Sequence, residues 1–98
     1  MASQDDALLD DDAIERELAT VPSWARRDDS ITCSVQAGSF LAGLDFVVAA
    51  GRIAEAADHH PDIDIRWRTI TFTVSTHSAG GLTAKDFALA RAIDGIVL

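Results

Sequence analysis

Three imidazoles and a few carboxylates carry most of the chemistry this chain could perform. All three histidines of the 98-residue sequence lie in the stretch from Glu55 to Asp86. His59 and His60 are adjacent and run directly into Pro61, while His77 follows a run of alternating apolar and polar residues. Glu55 stands four positions before His59, a spacing that sets both side chains on one face of a helix. Imidazoles titrate near neutral pH and carboxylates orient them, so such a cluster is suited to moving protons.

Four chemistries compete for the cluster. A purely structural role is the simplest, although titratable groups are costly to bury without partners. His59 and His77, with Glu55 or Asp58, offer nitrogen and oxygen ligands to a metal. The helical two-histidine spacing of three or four is missing, however, and adjacent histidines at a helix end diverge, so no metal is expected. Ser75, Thr76 and Ser78 flank His77, but neighbours along a strand do not form a nucleophile and its base. Cys33 has no local group to activate its thiol. General acid and base catalysis on a small polar ligand uses every unusual residue and requires no cofactor.

The surrounding sequence predicts the elements that must position these groups. Met1–Asp12 reads as a disordered, solvated acidic tail, and residues 13–98 as a single domain without internal linkers. Asp12 and Glu15 mark a helix start, with Ile14 and Leu18 on one face and Pro22 beyond its end. Trp24 is expected to pack on a first strand, with Asp28-Asp29-Ser30 as a turn. Ile31, Cys33 and Val35 then alternate with polar residues, as in a half-buried strand. Ser39 caps a helix of about 18–20 residues with a stripe of Phe40, Leu44, Val47, Gly51 and Ala54. That helix delivers Glu55, Asp58 and His59 at its C-terminal edge, where the helix dipole favours a protonated ring in the last turn. Pro61 disfavours helical geometry at His60, so the chain should turn there.

Beyond the turn, Ile63, Ile65 and Trp67 fall on odd positions and Ile70, Phe72 and Val74 on even ones. A change of parity requires a bulge or turn, which places a joint near Arg68 between two strands. His77 stands at the end of the second strand, before a glycine-rich loop. Thr83 and Asp86 form a capping box for a final helix whose buried face is Leu89, Ile93 and Ile96. The order α-β-β-α-β-β-α describes an α+β domain with an antiparallel sheet and helices packed on one face.

Bulk properties narrow the partners. Eight basic residues stand against sixteen acidic ones, which argues against nucleic acid because phosphate binding needs concentrated positive charge. Five of those acids belong to Met1–Asp12. The chain contains no long uncharged apolar run of membrane-spanning type. A single cysteine and an acidic N-terminus without a signal-peptide core lead us to expect a cytoplasmic location. Gly43, Gly51 and the alanines make one side of the long helix smooth, which favours close approach of a second helix or subunit.

Glu55-x3-His59-His60-Pro61, the aromatic Trp67, His77 and Asp86, together with the run STHSAGGLTAKDFALARAID, resemble the signature of the pterin-4a-carbinolamine dehydratases. The resemblance extends over roughly residues 13–97, with Ile63 where some members carry a tryptophan. It implies a four-stranded antiparallel sheet and assembly into homodimers or homotetramers through sheet edges and helices. It also implies a reaction, loss of water from a 4a-hydroxytetrahydropterin to give the quinonoid dihydropterin in tetrahydrobiopterin recycling, with the pterin as substrate rather than cofactor. By motif position His59 and His77 would be the acid/base pair at the 4a-hydroxyl, and His60 would orient the ring. Asp86 or Glu55 would hold the imidazoles, and Asp58, Pro61, Ser75 and Thr76 complete the expected substrate-binding set. The rival expectation is a non-catalytic binding or assembly module that keeps the same fold and acts through its oligomer surface.

Overall fold

Ser39 opens the longest helix. Its hydroxyl accepts from the Ala42 N–H at 3.0 Å while its backbone stays extended, and helix α2 then runs over Phe40–Ala57. The computed structural model describes residues 7–97. In it α2 lies across a four-stranded antiparallel sheet of order β1-β2-β4-β3, built from β1 Ala25–Arg27, β2 Ser30–Gln36, β3 Asp62–Arg66 and β4 Thr69–Val74. The chain order is α-β-β-α-β-β-α, as the sequence predicts, with helix α1 over Asp11–Leu18 and helix α3 over Ala84–Asp94.

The central pair is β2 with β4, in which Ile31, Cys33 and Val35 face Val74, Phe72 and Ile70 across the ladder. Alternation sends these apolar residues to one face, where Phe72 meets Phe46 of α2 with ring centroids 5.5 Å apart. The opposite face is hydroxylic, and Ser34 Oγ lies 2.8 Å from Thr71 Oγ1 across the strands. The parity change resolves as a two-residue hairpin loop, Trp67-Arg68, joining β3 to β4. Trp67 takes a positive φ of 53° there and remains exposed, with the Arg68 guanidinium 4.5 Å from its ring centroid.

The face of α2 that meets the sheet differs from the predicted stripe. Gly43, Phe46, Ala50 and Ala54 are buried, whereas Phe40 is about half exposed. The helix is apolar nearly all round, so periodicity alone does not select the side that packs. Small residues favour the observed side: a Cβ on Gly43 would stand 3.2 Å from Ile70 Cδ1, so a larger residue there would have to displace the Ile70 side chain.

Cys33 points inward as expected and is a free thiol. Burial, reinforced by the nearby Asp94 carboxylate, pushes its thiol above the ordinary value of 9.0, which keeps it neutral and unreactive at physiological pH. Trp24 is buried immediately before β1 and donates its Nε1–H to Asp94 at 2.8 Å, tying the first strand to the end of α3. Helix α3 buries Phe87, Leu89, Ala90 and Ile93, and Ile96 packs on the core from beyond the helix end. The acidic tail expected over residues 1–12 is partly built into the fold. Asp10 caps α1 by accepting from the Ala13 N–H at 2.8 Å, and the Leu9 N–H donates to the Leu82 carbonyl at 3.0 Å. The rest of that expectation, residues 1–6, lies outside the described residues. Among the described residues no helix is long and apolar enough to cross a membrane.

Candidate active site

The site begins where α2 stops. Asp58 adopts left-handed geometry (φ 50°, ψ 42°); its N–H reaches the Glu55 carbonyl and the His59 N–H reaches the Ala54 carbonyl at 3.1 Å. This is a Schellman closure, normally made with glycine but accessible to aspartate. His59 therefore lies past the helix end, which corrects the expectation that it occupies the last helical turn. The reversal sends neighbouring rings to different environments. The His59 side chain is 11% exposed, against 54% for His60.

Each of these rings meets its own carboxylate. His59 Nε2 lies 2.7 Å from Asp86 Oδ1, and His60 Nε2 lies 2.7 Å from Glu55 Oε1. A carboxylate only accepts, so the Nε2 hydrogen of each ring points to it and Nδ1 is left for a ligand. Asp86 is wholly buried at the first turn of α3. Its Oδ2 also accepts from Thr76 Oγ1 at 2.8 Å and from the Thr83 N–H at 2.9 Å. Thr83 Oγ1 lies 2.8 Å from Thr76 Oγ1 and accepts from the Lys85 N–H at 3.3 Å. Since Thr76 has one hydroxyl proton and gives it to Asp86, Thr83 must donate to Thr76. The whole chain of donors is thus directed at one carboxylate, the condition under which a buried charge is tolerated. The capping box that starts α3 and the support of His59 are the same few atoms.

His77 arrives from the other side. A bridge between Thr76 and Gly81 closes a short loop after β4, and the enclosed residues His77–Ala79 form a single 3-10 turn ended by Gly80 at φ 78°. His77 is exposed on this turn and, with His59 and His60, lines one cleft of about 380 Å³ together with Asp58, Ser75, Thr76, Ser78 and Lys85. Every side chain of that lining is polar. A helix end and a strand end distant in sequence thus bring all three imidazoles to one wall-to-wall polar cavity.

Three residues of the expected substrate-binding set stand elsewhere. Asp86 is sealed behind His59. Glu55 remains on the α2 surface beside His60, so it does not support His59 despite the four-residue spacing. Pro61 does not line the cleft, and the chain reverses at Asp58, ahead of the His60 position at which Pro61 led one to expect the turn. Asp58, Ser75 and Thr76 do line the cleft, but the two hydroxyls are engaged, Thr76 with Asp86 and Ser75 with the Asp29 carbonyl at 2.6 Å. Ser78 and Lys85 in the lining, and Thr83 behind it, were not singled out from sequence as site residues. The only sequence signal for Thr83 and Lys85 is their position beside Asp86 in the capping box, which reads equally well as a helix start. Among the described residues, no three histidine, cysteine or acidic side chains are grouped to hold a metal ion.

Comparison with known proteins gives the same direction. The family model for pterin 4 alpha carbinolamine dehydratase matches residues 7–96. A protein of Mycobacteroides abscessus, provisionally named pterin-4-alpha-carbinolamine dehydratase, is 56% identical over 90% of this chain and 94% of its own length. A protein of Nocardia farcinica with the same provisional name is 56% identical over 89% of this chain and 92% of its own. The crystal structure of a transcriptional coactivator/pterin dehydratase from Brucella melitensis superposes with a TM-score of 0.84 at 27% identity, covering 88% of this chain and 94% of that one. With a family match spanning nearly its whole length, the chain belongs to the pterin 4 alpha carbinolamine dehydratase family.

Proposed function

We propose that this protein is a hydro-lyase that removes water from a 4a-hydroxytetrahydropterin to give the quinonoid dihydropterin, with its own histidines as acid and base, in the recycling of tetrahydrobiopterin. The observation that carries the reading is the convergence of His59, His60 and His77 on one polar cleft. Hydroxide is a poor leaving group, so the C4a–O bond breaks only as the oxygen is protonated. The N5 electron pair forms the C4a=N5 bond, the N5 proton passes to a base, and the hydroxyl leaves as water. The reaction changes no oxidation state and calls for no redox cofactor.

In its imidazolium form His59 keeps the Nε2 hydrogen on Asp86, which fixes the ring, and gives its Nδ1 hydrogen to the 4a-hydroxyl. His77, brought to the same cleft by the loop after β4, takes the N5 proton. His60, more exposed and steadied by Glu55, orients the ring system. Positioned groups of this kind contribute ~10²–10⁴-fold in rate. The test is the decay of ultraviolet absorbance of freshly generated 4a-hydroxytetrahydropterin, which the folded protein is expected to accelerate. No acceleration would turn the assignment to the second reading, a non-catalytic module acting through an oligomer surface. That reading draws on the exposed Leu41 and Val48 of α2 and on the coactivator description of the Brucella relative. Both readings include assembly into a homodimer or homotetramer, and both fit a cytoplasmic setting for a chain whose single thiol is buried and free.

A further inference from the structure

The loop that carries His77 has little stiffness of its own. Gly80 and Gly81 bring no side chains to it, and Gly80 sits at φ 78°. Its backbone closes on itself: the Thr76 N–H donates to the Gly81 carbonyl at 3.0 Å, and the Gly80 N–H reaches the Thr76 and His77 carbonyls at 3.1 Å. These bonds set the shape of the loop but not its place against the domain. Contacts from outside do that. On one side Ser75 donates to the Asp29 carbonyl of the β1–β2 turn at 2.6 Å. On the other lies the chain ahead of α1. The Leu9 N–H donates to the Leu82 carbonyl at 3.0 Å, while the Leu9 side chain packs on the core. Leu8 is laid over Gly81, so that a Cβ on Gly81 would stand 3.1 Å from Leu8 Cδ2. Gly81, unlike Gly80, has no positive φ; what its missing side chain makes room for is Leu8.

This strap is itself fixed at its far end. Asp10 caps α1 by accepting from the Ala13 N–H at 2.8 Å, and Asp11 pairs with Arg26 of β1 at 2.9 Å. Arg26 Nε in turn donates to the Asp28 carbonyl at 2.9 Å, one residue before the carbonyl that holds Ser75. The contacts thus close a ring from strap to β1–β2 turn, to the loop after β4, and back to the strap. The Asp11 carboxylate is exposed, and an exposed ion pair contributes little. The end that bears on the loop is Leu8–Leu9.

We propose that Leu8 and Leu9 are positioning residues for His77, a strap that fixes where the loop presents its imidazole to the cleft. The effect on turnover rests on the dehydratase reading above, whereas the placement of the ring does not. Neither leucine lines the cleft; both act through the loop backbone at Gly81 and Leu82. A base must lie within hydrogen-bond reach of the proton it takes, so a loop that drifts on its glycines loses the near-attack geometry before the fold loses anything. Leu8 is 59% exposed, and its replacement opens no cavity in the core. A residue of that kind affects the reacting group while leaving the domain intact.

The experiment uses the full chain grown with 13Cε1-labelled histidine, in which the three histidines give separate ring signals; the His77 signal is the one lost in His77→Gln. In Leu8→Ser that signal is expected to narrow and move toward the position of free histidine, with those of His59 and His60 unchanged. In the dehydratase assay kcat should fall about three- to thirtyfold at nearly constant KM, the scale of a small misplacement of a reacting group. Leu8→Met keeps an apolar cover on Gly81 and should restore both. Gly81→Ala intrudes on Leu8 from the other side and should move the same signal alone. A His77 signal and kcat both unchanged in Leu8→Ser overturn the proposal. So does movement of all three signals together with a lowered melting midpoint, which would make Leu8 an ordinary stabilising contact. A His77 signal that moves alone in a protein without dehydratase activity sustains the strap and overturns the dehydratase reading.

Discussion

At the scale of single residues, the arrangement separates groups that line the cleft from groups behind them. His59 and His77 line it, while Asp86 lies behind His59. His59→Ala and His77→Ala are therefore expected to lower turnover by about 10²–10⁴-fold with the melting midpoint nearly kept. Asp86→Ala should differ in kind. It strips the partner from His59 and leaves the Thr83 N–H unpaired in the interior, while Thr76 keeps only Thr83 Oγ1, which costs about 3–5 kcal/mol in the worst case. Asp86→Asn keeps the volume and one acceptor, so its fold should survive while the pH profile of turnover changes with the lost charge. A melting curve and a pH–rate profile on each variant check this. An unchanged profile in Asp86→Asn would remove Asp86 from the positioning of His59. The importance of Asp86 is visible in the sequence only as a helix cap; its second use depends on a residue 27 positions away.

At the scale of elements, the site depends on how two segments end. The α2 terminus turns through a left-handed Asp58, and the loop after β4 turns through Gly80 at φ 78°. Gly80 has open space where a side chain would go, so Gly80→Ala meets no clash and pays only the left-handed penalty of about 1–2 kcal/mol. Because the strain falls on the turn that carries His77, turnover should fall more than that loss of stability explains. Calorimetry and the absorbance assay on the same preparation test it. A melting shift with unchanged turnover would show that His77 does not depend on this turn. Element identity was largely legible from sequence: the β2 and β4 alternation, the Ser39 and Thr83 caps, and the parity change before β4 all appear where expected. The face of α2 was not, since both candidate stripes are apolar and only the closeness of the sheet at Gly43 favours one of them.

At the scale of the whole molecule, one side of α2 meets the sheet and the other is left with exposed Phe40, Leu41 and Val48. Ile65 and Trp67 at the β3 edge add to the apolar surface. On the proposed reading these residues would supply a surface for assembly. The protein is expected to sediment as a dimer or tetramer, and Leu41→Asp with Val48→Asp to shift it toward the monomer without unfolding it. Sedimentation velocity as a monomer for the unaltered chain would refute this. The substitutions lie on the outer side of α2, so circular dichroism should remain unchanged.

Local chemistry settled a good deal from the order of residues alone: strand alternation, helix caps, and a supply of imidazoles and carboxylates suited to proton transfer. These follow from neighbours along the chain, where steric limits and hydrogen bonding act over a few residues. Which carboxylate meets which ring was decided in three dimensions. The reversal at Asp58 carries His59 to Asp86 and leaves His60 to Glu55, opposite to what helical spacing implies. That pairing arises from the direction in which a chain leaves one element and the place where another begins, and periodicity contains neither.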